Sequence, residues 1–173
     1  MRAYAVGDEG DFVRAERDVQ QRVGDLPIDF AAMAAISNVF RVASAVRNHM
    51  ERSVLRPDEL SWTGFVALFV LWVWGDLESR HLADECGVTK GTLTGVITTL
   101  ERRTLVRRRG HPDDGRLVVV GLTVEGRRLI KRLFPKFNAQ ETLLTARLGD
   151  DDRRHLAHLL REVLRNVDGD VEV

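Results

Sequence analysis

A mainly α-helical fold with one small β-hairpin is what this sequence predicts, from three observations. Apolar residues recur at steps of three and four along most of the chain. Residues 79–103 read as two short helices joined through a glycine. Two β-branched or alternating runs then bracket the turn HPDDG. With 173 residues, the chain suits one domain, or one domain with an extension, and can bury a core.

Residues 1–27 form a polar extension in which Phe12, Val19, Val23 and Leu26 carry the signal of a short amphipathic helix before Pro27. From Ile28 a long amphipathic helix is expected, because Met33, Ile36, Phe40, Ala43, Val46, Met50 and Val54 share one face; Arg56-Pro57 stops it. Ser61 is placed to cap LSWTGFVALFVLWVWG, a helix apolar on most sides and therefore buried, which Gly75-Asp76 ends. In the next helix Leu82, Ala83 and Cys86 face inward, Gly87 suits a left-handed turn, and Thr89 caps the following helix. There Leu93, Val96, Ile97 and Leu100 point one way, and Lys90, Gly91, Thr94, Gly95, Thr98 and Arg102 the other. Strands are expected at Leu105–Arg109 and Leu117–Leu122. Thr123 then caps a helix carrying Leu129, Ile130, Leu133 and Phe137, which Pro135 should kink and Gly149 should break. Asp150 or Asp151 starts a last helix lined by Leu156, Leu159, Leu160, Val163, Leu164 and Val167.

The hairpin directly follows the helix-turn-helix, so it is the wing of a winged helix. The expected architecture is thus mainly α with a small β-hairpin wing. A winged helix-turn-helix DNA-binding domain spans residues 59–122, and N- and C-terminal dimerisation helices occupy 28–58 and 123–168. Those outer helices carry more apolar surface than one winged helix can cover, which is the reason to expect a homodimer.

A net charge of zero conceals segregation. Arg80 to Arg132 holds twelve Lys/Arg against six Asp/Glu, while the segments on both sides are acidic. A local basic block is the footprint of an anionic partner. Double-stranded DNA is the partner that fits a helix-turn-helix; an acidic protein bound by a winged-helix interaction module is the alternative. On the second helix of the motif, Thr89, Lys90, Thr92, Thr94 and Thr98 are candidate contacts, since threonine can bond phosphate or base edge and touch a thymine methyl, and lysine favours phosphate or guanine. Along the wing, Arg107 and Arg109 share one side of a strand while Arg108 faces the other. Arg116 is the expected minor-groove probe, because arginine suits the enhanced negative potential of that groove. Asp114, two residues away, is placed to hold Arg116 in a bidentate pair, and Pro112 removes backbone freedom beside it.

The run LADECGVTKGTLTGVITTLERRTLVRRRGHPDDGRLVVVGLTVEGRRL resembles the winged-helix core of the multiple antibiotic resistance regulator (MarR) family. The resemblance rests on the LAxxxGVTKGTLT helix-turn-helix, the DxR wing at Asp114-Gly115-Arg116, and the LTxEG start of the next helix at Leu122 to Gly126, and extends more loosely over residues 28–168. It implies a dimeric bacterial transcription factor of six helices and a small sheet, often released from DNA by a small molecule. A symmetric dimer presents two recognition helices and so favours a pseudo-palindromic operator, and a repressor is the expected role. Two departures stand out: Gly95 and Gly115 occupy positions where a basic residue is common in the family, so base reading falls to the neighbours of Gly95 and more of the wing's work to Arg116.

For a small aromatic or phenolic effector, the candidate site is the stripe Trp62, Phe65, Phe69 and Trp72, with Arg47, or its neighbours Asn48 and His49, anchoring an acidic group. Such a stripe is also what a buried helix contact looks like. Cys86 reads as a small core hydrophobe rather than a redox sensor, and His155 with His158 lacks a third metal ligand nearby. No P-loop, Rossmann glycine pattern, HExxH or GxSxG occurs, so an enzyme, a metal or a cofactor is not expected. A single cysteine, a polar start without a signal-peptide pattern and no run approaching the roughly 20 apolar residues of a membrane span point to the cytoplasm.

Overall fold

A computed structural model describes residues 9–111, 114 and 116–169. It divides into two compact units, residues 1–49 and 50–173. In the first, α1 (Glu9–Val23) and α2 (Phe30–Met50, whose last residue belongs to the second unit) are joined by a short turn at Pro27. Asp29 caps α2, its carboxylate accepting from the Ala32 N–H at 3.0 Å. Glu16 of α1 accepts from Asn38 at 3.0 Å and lies 4.0 Å from Arg41, both on α2. The helix expected in the extension is therefore present. Phe40 on α2 is 70% exposed, so part of the apolar ridge read from the sequence is uncovered within one chain.

The long helix does not end as simply as Arg56-Pro57 suggested. After Met50 it widens into a π-helical turn, Glu51–Leu55, and closes in a 3-10 turn, Arg56–Asp58, with Glu59 left-handed at φ 52°. Pro57 brings no N–H to continue the α ladder. The turn is anchored forward: Glu51 accepts from the Trp62 N–H at 3.1 Å and Ser61 from that of Gly64 at 3.1 Å, so two open donors at the start of α3 (Trp62–Trp74) are satisfied. Gly64, Phe65, Ala67, Leu68, Val70 and Leu71 of α3 are buried, as its composition predicts, while Val73 and Trp74 at its end are exposed.

Next come β1 (Leu77–Glu78), α4 (Ser79–Glu85), α5 (Lys90–Arg102), β2 (Val106–Gly110) and β3 (Val118–Leu122). The sheet is antiparallel in the order β1-β3-β2, with Val106 opposite Leu122 and Arg108 opposite Val120. The sequence predicted only β2 and β3; β1 pairs Leu77 with Val120 and Glu78 with Val119, a strand too short to show alternation. Gly87 adopts φ +62°, and the paired bonds Gly87 N–H to Asp84 O (2.9 Å) and Val88 N–H to Ala83 O (3.0 Å) close α4 in a Schellman turn. α5 ends the same way with Thr104 left-handed, through Thr104 to Glu101 and Leu105 to Leu100.

α6 (Val124–Leu144) is capped by Thr123, which accepts from the Gly126 N–H at 3.0 Å. A Cβ on Gly126 would lie 2.0 Å from the Leu105 carbonyl oxygen, which gives the glycine of the LTxEG segment its physical reason. Pro135 lies inside α6 without ending it. α7 (Asp150–Asp168) starts with three aspartates in its first turn, which suits the positive end of the helix dipole. The second unit's core joins Met50, Leu55, Leu68, Leu71, Leu82, Leu93, Ile97, Val120, Ile130 and Leu133, all essentially inaccessible. Leu156, Leu159, Leu160, Leu164 and Val167 of α7 stay out of it, with Val167 75% exposed.

Candidate nucleic-acid interface

Leu93, Ile97 and Leu100 root α5 in the core, with Val96 half-buried beside them, so its opposite face must look outward. Thr89, Lys90, Thr92, Thr94 and Thr98, all candidates from the sequence, are exposed. Thr89 caps α5 by accepting from the Thr92 N–H at 3.2 Å, and its hydroxyl lies 3.0 Å from that of Thr92.

The wing strand reaches this face through a residue that sequence reasoning left off the candidate set. Arg108 donates to Glu101 Oε2 at 2.8 Å, to the Thr94 carbonyl at 3.1 Å and to Thr98 Oγ1 at 2.9 Å, while its backbone N–H donates to Glu101 Oε1 at 3.2 Å. It thereby ties β2 to the middle of α5. Strand alternation showed that Arg108 points away from Arg107 and Arg109; which side met the helix was not legible without the sheet's packing.

Arg107 and Arg109 turn instead toward Asp76, at 3.6 and 3.1 Å. Asp76 sits over Gly121, where a Cβ would lie 2.3 Å from its carboxylate, and Gly121 is the ladder partner of Arg107. Both arginines remain more than half exposed. Other members of the basic block are also engaged: Arg103 donates to the carbonyls of Asp58 and Glu59 at 2.8 Å, Arg132 pairs with Asp58 at 2.6 Å, and Arg80 with Glu78 at 2.8 Å. The surplus of charge counted along the chain therefore overstates the cations held ready for a partner.

Arg116 is held as its spacing suggested. Asp114 Oδ1 accepts from its Nε at 3.1 Å and from its backbone N–H at 3.0 Å, and Oδ2 accepts from a terminal nitrogen at 3.3 Å. The Arg116 bonds, side-chain first and backbone second, hold the Asp114 carboxyl below the usual carboxylate range. Arg116 is nonetheless 91% exposed. A paired, oriented guanidinium thus stands clear of the protein. Pro112 and Gly115 of the wing lie outside the described residues. Between wing and helix runs a groove of about 360 Å³, lined among others by Arg80, Lys90, Thr94, Arg108 and Arg116.

The aromatic stripe has a different setting. Phe65 stacks on Phe137 of α6 with centroids 4.3 Å apart, and Phe69 and Trp72 lie 5.1 and 5.6 Å from Phe134. Trp62 lies 5.9 Å from Phe137. The stripe is the packing of α3 on α6. Phe65 is in the core at 4% exposure, whereas Trp62, Phe69 and Trp72 keep half-buried edges. Arg47 belongs to the first unit. Burial, then the charge of Glu85, pushes the Cys86 thiol up to about 11, which keeps it protonated and unreactive at neutral pH. Among the described residues, no group of three or more His, Cys, Asp or Glu could hold a metal ion, and no helix is long and apolar enough to cross a membrane.

A glycine-turned pair of helices, with the second helix exposed and a charged hairpin beside it, defines a winged helix-turn-helix protein. The MarR family profile matches residues 60–118. The uncharacterized HTH-type transcriptional regulator YwaE of Bacillus subtilis (strain 168) is 38% identical over 157 residues, 89% of this chain and 92% of its own. The HTH-type transcriptional repressor YetL of the same organism is 25% identical over 81% of this chain and 84% of its own. Among solved structures, that of Bordetella bronchiseptica BpsR, which concerns regulation of its DNA binding by 6-hydroxynicotinic acid, superposes with a TM-score of 0.66 at 26% identity, covering 75% of this chain and 98% of the other. The chain belongs to the MarR family and is a transcriptional regulator of it. The family and these relatives are regulators of transcription, not enzymes.

Proposed function

We propose that the protein is a homodimeric repressor that binds a pseudo-palindromic operator in double-stranded DNA and leaves it when a small aromatic or phenolic effector binds. The observation that carries this is the wing tip: Arg116 is fixed by a bidentate carboxylate and still 91% exposed, beside a recognition helix whose outward face is open. Residues 59–122 are the DNA-binding domain in this reading, and 28–58 with 123–168 the dimerisation helices. α5 enters the major groove and Arg116 the adjoining minor groove. Thr89, Lys90, Thr92, Thr94, Thr98 and Arg116 meet the duplex, Asp114 orients, and Arg107 and Arg109 contribute to the field around the wing.

Dimerisation is supported by the apolar faces left open on α2 and α7. Repression is supported by the likeness to YetL, named a repressor. An aromatic effector is supported by the likeness to BpsR, whose DNA binding 6-hydroxynicotinic acid regulates, and by the half-buried edges of Trp62, Phe69 and Trp72. The cytoplasm is where such a repressor would meet its operator.

The test uses the full-length protein and duplexes selected from a random-sequence pool. One palindromic sequence should be enriched, its binding should weaken with salt, and mapping of bound sites across the genome should return the same sequence. Equal binding to all duplexes of one length would reject the operator.

A further inference from the structure

Three outward threonines of α5, Thr94, Thr98 and Thr99, have their hydroxyl protons already committed. Thr94 Oγ1 lies 2.8 Å from the Lys90 carbonyl, Thr98 Oγ1 2.8 Å from that of Thr94, and Thr99 Oγ1 3.1 Å from that of Gly95. A carbonyl oxygen only accepts, so each hydroxyl donates back into its own helix. Thr98 is engaged twice, because Arg108, whose guanidinium only donates, gives it a second bond at 2.9 Å.

What Thr94 and Thr98 can then offer a duplex is a methyl group and an oxygen lone pair. A phosphate carries acceptors alone, so the lone pair gains nothing there; at a base edge it could accept only from an adenine or cytosine amino group, a contact that valine variants would remove. In the major groove, the group that matches a methyl is the C5-methyl of thymine. Elsewhere along the recognition face, Gly91 and Gly95 supply no side chain, which leaves donors to Lys90, Arg102 and the one hydroxyl proton that Thr89 and Thr92 do not use between them.

We propose that Thr94 and Thr98 read the operator through their methyl groups, against thymine methyls, and not through their hydroxyls. This rests on the operator reading above and deepens it: the half-site carries thymine where the middle of α5 enters the groove. Arg108 has a positioning part in it, since its bonds to Thr98, the Thr94 carbonyl and Glu101 fix the helix face that carries both methyls.

Serine and valine substitutions separate the two halves of threonine. Serine keeps the hydroxyl and loses the methyl; valine does the reverse at nearly the same shape. Affinities are measured by fluorescence anisotropy of the full-length protein on the selected duplex, and on versions with uracil for thymine at one position at a time. At one or more thymines of each half-site, uracil should weaken binding roughly four-fold, the worth of one buried methyl. Thr94→Ser and Thr98→Ser should weaken binding to a similar extent and become indifferent to the same uracil swap. Thr94→Val and Thr98→Val should bind more tightly than the matching serine variants and keep the full uracil penalty, with Arg108 retaining Glu101 and the Thr94 carbonyl in the second. Thermal unfolding of each variant shows that the fold is kept. Uracil tolerated at every thymine, or valine variants weaker than serine variants, would overturn methyl reading while leaving the operator in place. A protein that enriches no duplex would overturn the operator reading itself.

Discussion

The wing's chemistry is decided by two aspartates with opposite effects on arginine. Asp114 orients Arg116 and leaves it exposed, whereas Asp76 sits between Arg107 and Arg109. Arg116→Ala should weaken operator binding at least several-fold with the melting temperature unchanged, as read by anisotropy and thermal unfolding. Asp114→Ala should weaken it less, because the guanidinium survives and only its ordering is lost. The Asp114 carboxyl is held low by Arg116, so the pair is intact above the ordinary aspartate range and is lost as pH falls through the lowered value. Asp114→Asn should therefore show at neutral pH the affinity that acid would give the parent. Asp76→Asn should act in the other direction. With Arg107 and Arg109 released, non-specific DNA binding should tighten and its log–log salt slope steepen by about 1 for each added phosphate contact. An unchanged slope would mean that both arginines remain away from DNA.

At the scale of elements, the helix-turn-helix stands on terminations that the sequence partly advertises. Gly87, at φ +62°, could be read as a left-handed turn residue from its place between two helical patterns. Thr104 makes the same turn after α5 without a glycine to announce it. The π-turn at Glu51–Leu55 was illegible, since the apolar ridge runs through it unbroken and only Pro57 hints that the ladder must change. β1 was illegible because two residues show no period. Within the site, the Asp114–Arg116 pair followed from spacing and bidentate chemistry. The roles of Arg108 and Asp76 needed the register of β2 on β3 and the packing of the sheet on α5. Gly126 offers the sharpest test of this level. Gly126→Ala places a methyl against the Leu105 carbonyl and should destabilise the fold by about 1–3 kcal/mol, a loss of several degrees in melting temperature. An unshifted melting temperature would mean that α6 and the α5–β2 turn do not pack as closely as described.

On the scale of the whole molecule, one chain leaves apolar surface that its own core does not use. Leu156, Leu159, Leu160, Leu164 and Val167 remain exposed along α7, and Phe40 on α2. Deleting residues 150–173 should yield monomer or unfolded protein by light scattering, and a stable DNA-competent dimer lacking them would refute the assignment of α7. A dimer matters to function through geometry: two recognition helices on one face of a duplex must meet half-sites about one helical turn apart.

That geometry supplies the most direct test of the central claim, that paired copies of this basic helix and wing dock on successive turns of one DNA face. The affinity of the full-length protein is measured for its selected palindrome and for the same palindrome with about five base pairs, half a helical turn, inserted at its centre. Two chains per duplex and a collapse of tight binding on insertion is the expected result, and an insertion of about ten base pairs should not restore it, since the half-sites then lie about two turns apart. Undiminished affinity for the half-turn insertion, or binding of a single chain at full strength, would contradict it.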